Sequence, residues 1–232
     1  MMHSLPEGYS ALVFGASGAI GQAFVQALQS DPRCAMVCGV SRQSVPSFDL
    51  LDESSMATCA QALAEQGPFH LVLDATGALT VNGRGPEKRL DELDATHLLN
   101  AMHLNAVGPG LLLKHFAPLL ASGQRVIWGK LSARVGSIED NRKGGWYGYR
   151  SAKAALNMLL QTAAIELSRR RPLLVVAALQ PGTVQSALSQ PFVGQDALHP
   201  DASAQRLLAT LDGLQPTGRA QFVDHQGQHI PW

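Results

Sequence analysis

The sequence predicts an α/β fold: one domain spanning residues 1–232, with a doubly wound parallel sheet of about seven strands and helices on both faces. Three observations carry this. Short apolar runs alternate with longer helical patterns along the whole chain, as in sheets whose crossovers are helices. The first such run ends in a turn with regularly spaced glycines. The run 173–179 (Leu-Leu-Val-Val-Ala-Ala-Leu) is apolar at every position, as in a strand covered on both faces.

Taken in order, Ser10–Phe14, Ala35–Val40, His70–Ala75, Arg125–Trp128, Leu173–Leu179 and Ala220–Val223 read as strands. Between them, Ile20–Gln29, Met56–Glu65, Leu90–Leu120, Tyr149–Arg169 and Asp201–Leu214 read as helices. No repeat, low-complexity stretch or linker divides the chain. Breaks in regularity are expected at Asn82–Glu87 and Ser186–Pro200. Both follow strands, on the side where open α/β sheets bind ligands.

Composition narrows the function classes. The chain is 46% hydrophobic and 16% charged, with 18 basic and 18 acidic residues, so its formal net charge is zero. A neutral chain gives no field that recommends nucleic acid or an anionic membrane as partner. Cys34, Cys38 and Cys59 lack a Cys-x-x-Cys spacing, and the eight histidines lack a metal-binding helical pair, so no metal is expected. There is no charged-then-apolar leader and no run of eighteen apolar residues, and a cytoplasmic location is expected.

The chemistry begins at the first crossover. Ala11–Phe14 runs into Gly15-Ala16-Ser17-Gly18-Ala19-Ile20-Gly21 and then a helix. Glycines at 15, 18 and 21 permit a tight turn, leave room for a pyrophosphate and let the helix pack on the strand. The helix N-terminus offers free N–H groups and partial positive charge to that anion. This is a Rossmann-like dinucleotide site, with Gly15, Ser17, Gly18, Ala19, Ile20 and Gly21 against the cofactor. The second strand ends at Ser41-Arg42, where NAD-binding folds carry an acidic residue for the ribose hydroxyl. No carboxylate is present to repel a 2′-phosphate, and Arg42 can pair with one. NADP is therefore favoured over NAD.

A second constellation lies in Trp146-Tyr147-Gly148-Tyr149-Arg150-Ser151-Ala152-Lys153. Tyr149 and Lys153 stand four residues apart at the start of a long helix, on one face. A neighbouring cation favours a phenolate and lowers the phenol pKa, which suits general acid–base work. Tyr147 lies off that face.

With both motifs in this order, the chain resembles the short-chain dehydrogenase/reductase superfamily over essentially its full length. Leu131-Ser132-Ala133-Arg134-Val135-Gly136-Ser137-Ile138 followed by Gly144-Gly145-Trp146-Tyr147 and Tyr149–Asn157 is similar to the C-factor and sniffer-like carbonyl reductase branch. The resemblance implies that Tyr149 exchanges the proton of the substrate oxygen while hydride moves between nicotinamide and carbon. It implies that Lys153 binds the nicotinamide ribose and depresses the Tyr149 pKa, and that Asn105 orders a proton-relay water. Asp49 and Leu50 match the segment near the adenine, and Ala75, Thr76 and Gly77 the turn after the third strand. Pro181, Gly182, Val184 and Ser186 match the segment that holds the carboxamide.

Four departures accompany the resemblance. Position 19 is Ala where glycine is common, and Gly18 lacks the basic residue that often marks NADP binding. Asp74-Ala75-Thr76-Gly77 replaces the usual Asn-Asn-Ala-Gly. The usual catalytic serine position, three before Gly136, is Ala133. Ser132 is the favoured replacement, provided the strand has ended or bulged there; Ser137 is the other candidate.

The expected activity is thus NADP(H)-dependent carbonyl reduction or the reverse alcohol oxidation of a small molecule. The pocket walls would be Trp146, the Gly85–Glu87 loop and a lid from Ala187 to Gly194 carrying Phe192. The alternative is a nucleotide-binding signalling protein of C-factor type with little reductase activity. A homodimer or homotetramer built on the two long helices, 90–120 and 149–169, is expected from the resemblance.

Overall fold

A computed structural model describes residues 1–185 and 197–232. Its centre is one parallel sheet of six strands, in the order β2-β1-β3-β4-β5-β6. The strands are β1 (Tyr9–Phe14), β2 (Cys34–Val40), β3 (Leu71–Asp74), β4 (Val126–Leu131), β5 (Leu174–Gln180) and β6 (Ala220–Asp224). The helices are α1 (Ala19–Gln29), α2 (Glu53–Leu63), α3 (Ala95–Met102), α4 (Gly108–Phe116), α5 (Tyr147–Ser168) and α6 (Pro200–Gly213). The described sheet has six strands rather than about seven, one for each of the six runs read as strands, and the chain between β2 and α2 adds an isolated bridge, Asp49 with Asp52. Asp52 also caps α2 by accepting from the Ser54 N–H.

Alternation along each strand divides the core into two layers. Leu12, Phe14, Val72 and Trp128 face α2, α4 and α5, while Ala11, Val13, Leu73 and Ile127 face α1 and α6. Phe14 is fully buried and meets Phe48 and Phe116 edge-on at 5.4 and 4.6 Å. A buried phenylalanine of this kind contributes about 3–5 kcal/mol against alanine. Helix α5 lays Leu156, Leu160 and Ala164 into the same layer, four residues apart each time, with Ala152 buried one turn earlier. None of the described helices is long and apolar enough to cross a membrane.

The single helix expected over 90–120 is broken. A 3-10 turn (Leu90–Glu92) precedes α3, which Asp94 caps. A π-helical segment, His103–Val107, then separates α3 from α4. Such widened turns recur at functional sites, and this one carries Asn105.

Candidate active site

The topological switch lies between β1 and β3, where successive connections leave in opposite directions and a crevice opens at the strands' carboxyl ends. Gly15 occupies it with φ +74°, a left-handed backbone that favours glycine. A Cβ there would stand 3.1 Å from the Ala75 carbonyl. Gly21 is held more tightly still, since its Cβ would lie 2.1 Å from the Gly15 carbonyl oxygen. Gly18 is the N-cap of α1, with no side-chain cap and no acidic residue in the first turn. The opening N–H groups of α1 therefore stay available beside Ser17, Ala19 and Ile20. This is a cradle that side chains would fill, and it fits a pyrophosphate.

At the rim, Ser41 is buried and its Oγ accepts from the Gln43 N–H, while Arg42 is exposed and makes no ion pair with the described residues. Asp49 accepts from the Leu51 N–H and shapes the turn into α2. The neighbouring Leu50 presses on Gly108, whose Cβ would be 2.7 Å from the Leu50 carbonyl oxygen.

Across the crevice, Gly77, Asn105 and Lys153 converge. A Cβ on Gly77 would lie 2.9 Å from Asn105 Oδ1 and 3.4 Å from Lys153 Nζ. Asn105 is fully buried; its Oδ1 accepts from Ala78 N–H at 3.0 Å and its Nδ2 donates to the Ala78 and Ala101 carbonyls. Lys153 Nζ donates to the Leu131 carbonyl at 3.2 Å and stands 5.5 Å from the centre of the Tyr149 ring. The spacing of Tyr149 and Lys153 thus does what the helix period requires.

The electrostatics run opposite to the expected direction. Burial pushes the Tyr149 phenol up to about 12. Burial, with the nearby Lys130 charge, holds Lys153 well below its ordinary value against an offset from Asp74. Desolvation outweighs the attraction of the lysine for a phenolate. The phenol is consequently protonated at neutral pH, the state a proton donor needs.

Among the described residues Ser132 makes no hydrogen bond to Tyr149. Its Oγ donates to Asn157 Oδ1 at 2.7 Å, and Asn157 lies eight residues beyond Tyr149, about 12 Å along α5. The strand has ended at Leu131, one residue before Ser132, and Ala133 beyond it is half-buried. Ser137 is also engaged: it donates to the Trp232 carbonyl and accepts from the Asp140 N–H. Among the described residues no side chain hydrogen-bonds the Tyr149 oxygen.

One group beside the site escaped sequence reasoning, and a second was read only as part of a pocket wall. Lys130, on β4, is fully buried and donates to Asp74 Oδ1 at 3.0 Å, to the Thr76 carbonyl at 2.6 Å and to Thr76 Oγ1 at 3.1 Å. Asp74 Oδ1 also takes the Thr76 N–H and hydroxyl. The departure Asp74-Ala75-Thr76-Gly77 is therefore half of a buried ion pair that fixes this turn. The signal was the charged Asp74 and Lys130 inside apolar strand runs. The second group is Glu87, buried against the start of α5, whose N-cap Trp146 is left-handed at φ +55°.

At the carboxyl end of β5, Gly182 has φ +81° and Val184 is buried. Pro181 follows β5 directly, and its carbonyl accepts from Ser203 Oγ at 2.7 Å. Ser186 and the lid expected from Ala187 to Gly194, with Phe192, lie outside the described residues. Trp146 meets Tyr149 edge-to-face at 6.3 Å.

This arrangement has counterparts. The family model for short chain dehydrogenase matches residues 10–196. The chain belongs to the short-chain dehydrogenase family. It is 30% identical over 189 residues to a 1-hydroxy-2-glutathionyl-2-methyl-3-butene dehydrogenase from Rhodococcus sp. (strain AD45), covering 81% of this chain and 79% of that one. It is 33% identical over 144 residues to the C-signal protein of Myxococcus xanthus, covering 62% and 83%. Among solved structures, an NADPH-bound carbonyl reductase from chicken fatty liver superposes with a TM-score of 0.85 at 21% identity, covering 99% of this chain and 97% of that one. The last likeness is one of fold. The match to the family model begins at β1 and reaches beyond Val184, so it spans the glycine turn, Asn105, Tyr149 and Lys153.

Proposed function

We propose that this short-chain dehydrogenase reduces a small carbonyl compound with NADPH, or oxidises the corresponding alcohol. The observation that carries the reading is the convergence of Gly77, Asn105 and Lys153 beside Tyr149, facing the pyrophosphate cradle across one crevice. The glycine turn with Ser17, Ala19 and Ile20 would hold the pyrophosphate, and Arg42 the 2′-phosphate. Ser41, Asp49 and Leu50 would line the adenosine end. Ala75, Thr76, Gly77, Pro181, Gly182, Val184 and Ser186 would line the nicotinamide end. When bound, the nicotinamide supplies or accepts the hydride.

The chain's own residues do the rest. Tyr149, kept protonated by burial, gives its proton to the carbonyl oxygen. Lys153, fixed by the Leu131 carbonyl, stands next to that phenol and restores its proton. Asn105 keeps the backbone at Ala78 in place opposite Lys153. Trp146 walls the substrate side, and an apolar or aromatic carbonyl suits it.

Tyr149→Phe is expected to lower kcat by about a thousandfold or more while NADPH affinity stays within about twofold. An unchanged rate in a stopped-flow assay of NADPH consumption removes the mechanism. The likeness to the C-signal protein supports a second reading, a cofactor-dependent signalling protein. Saturable NADPH binding without turnover across a broad carbonyl panel would select it. Exposed Leu99, Val107, Met158, Leu159 and Ile165 along the two helical segments support self-association as a dimer or tetramer.

A further inference from the structure

We propose that Glu87 is a positioning residue: it takes the place of an N-cap for α5 and sets where Tyr149 stands in the crevice. Helix α5 starts without a local cap, since Trp146 is left-handed and its side chain caps no N–H. Four N–H groups open every helix and need acceptors. Glu87 meets two backbone donors at this start from sixty residues away. Its carbonyl accepts the Trp146 N–H, and its Oε2 accepts the Gly148 N–H at 2.9 Å.

The fit is close. The Glu87 side chain is wholly removed from solvent, and a Cβ on Gly148 would lie 3.0 Å from Oε1 and 3.3 Å from Oε2. A carboxylate at this end of a helix is also favoured by the macrodipole. Its other oxygen, Oε1, has no hydrogen-bond partner among the described residues; His97 Nε2 stands 3.7 Å from it. A buried carboxylate this sparsely satisfied is expensive to keep, and here it spends its one short side-chain bond on the residue next to Tyr149. On the outer side, Arg150 donates to the Gly144, Gly145 and Val135 carbonyls and holds the left-handed approach. The entrance to the catalytic helix is therefore clamped from both sides.

This inference rests on the proposed reductase chemistry, and the experiment separates the two. Wild type and Tyr149→Phe report on the chemistry. Glu87→Gln, which keeps an acceptor at full reach, is compared with Glu87→Asp, which keeps the charge but falls one methylene short of Gly148. Glu87→Asp should lose about 10- to 100-fold in kcat with NADPH affinity within about twofold, and Glu87→Gln should stay within about fivefold of wild type. Amide exchange in the peptide covering 146–150 should speed up in Glu87→Asp and not in Glu87→Gln, a readout that needs no turnover. An active Glu87→Asp beside an inactive Glu87→Gln would show that charge rather than reach matters, and would overturn the proposal. So would unchanged exchange at 146–150, or equal losses of kcat and NADPH affinity.

Discussion

The turn at Gly15–Gly21 and the entrance to α5 at Gly144–Tyr149 both deliver a helix N-terminus to the same crevice, by opposite means. The turn is made by its own backbone. Gly18 donates its N–H to the Gly15 carbonyl, and Gly21 exists as glycine because that same carbonyl fills the space a Cβ would need. The entrance is made by others: Glu87 is 61 residues from Gly148, and Lys153, one turn beyond Tyr149 on α5, donates to the Leu131 carbonyl. A phosphate site can be written in seven consecutive residues, whereas a proton donor has to be aimed by the fold.

The difference can be broken at its strongest point first. Gly21→Ala should push the turn and α1 apart and cost on the order of 4 kcal/mol or more in NADPH binding or in folding. Gly18→Ala, whose Cβ meets the Gly15 oxygen at 3.3 Å, should cost far less in the same calorimetric titration. Equal losses would mean that the turn is not set by its own sterics.

On the fold-aimed side, Lys130→Met strands the Asp74 carboxylate and should destabilise by about 3–5 kcal/mol in urea denaturation. Asp74→Asn combined with Lys130→Met should recover more than half of that. Arg42→Ala should narrow the NADPH-over-NADH preference by about tenfold, about 1.4 kcal/mol, without touching stability. Equal affinities in the wild type would remove the NADP assignment. Smallest of all, Ser132→Ala should cost about 1 kcal/mol of stability, because Asn157 Oδ1 loses its donor, and less than tenfold in kcat. A larger kinetic loss would return Ser132 to the chemistry.

What the sequence revealed follows the same division. The alternation of runs and helices, the glycine spacing and the Tyr149–Lys153 spacing are periodic or local, and each was legible. The broken helix over 90–120 was not, because Leu90–Leu120 keeps an apolar pattern through a π-helical segment whose purpose is a tertiary bond from Asn105 to Ala78. The six runs read as strands are the six strands of the sheet, so the count of about seven belonged to the fold class and not to any run in this chain. The partner of Ser132 was not legible either: β4 ends at Leu131, and the hydroxyl just beyond it goes to Asn157 by a tertiary bond that no spacing encodes. The direction of the Tyr149 shift depended on burial, which no spacing encodes.

Asp74 and Lys130 sit 56 residues apart, yet they face each other across adjacent strands and share one buried hydrogen-bond cluster. Exchanging either alone passes through a lone charge in a dry interior. The two positions therefore behave in descent as a single character: a lineage leaving this pair has to neutralise both, and a relative that has lost the aspartate should be found to have lost the lysine as well.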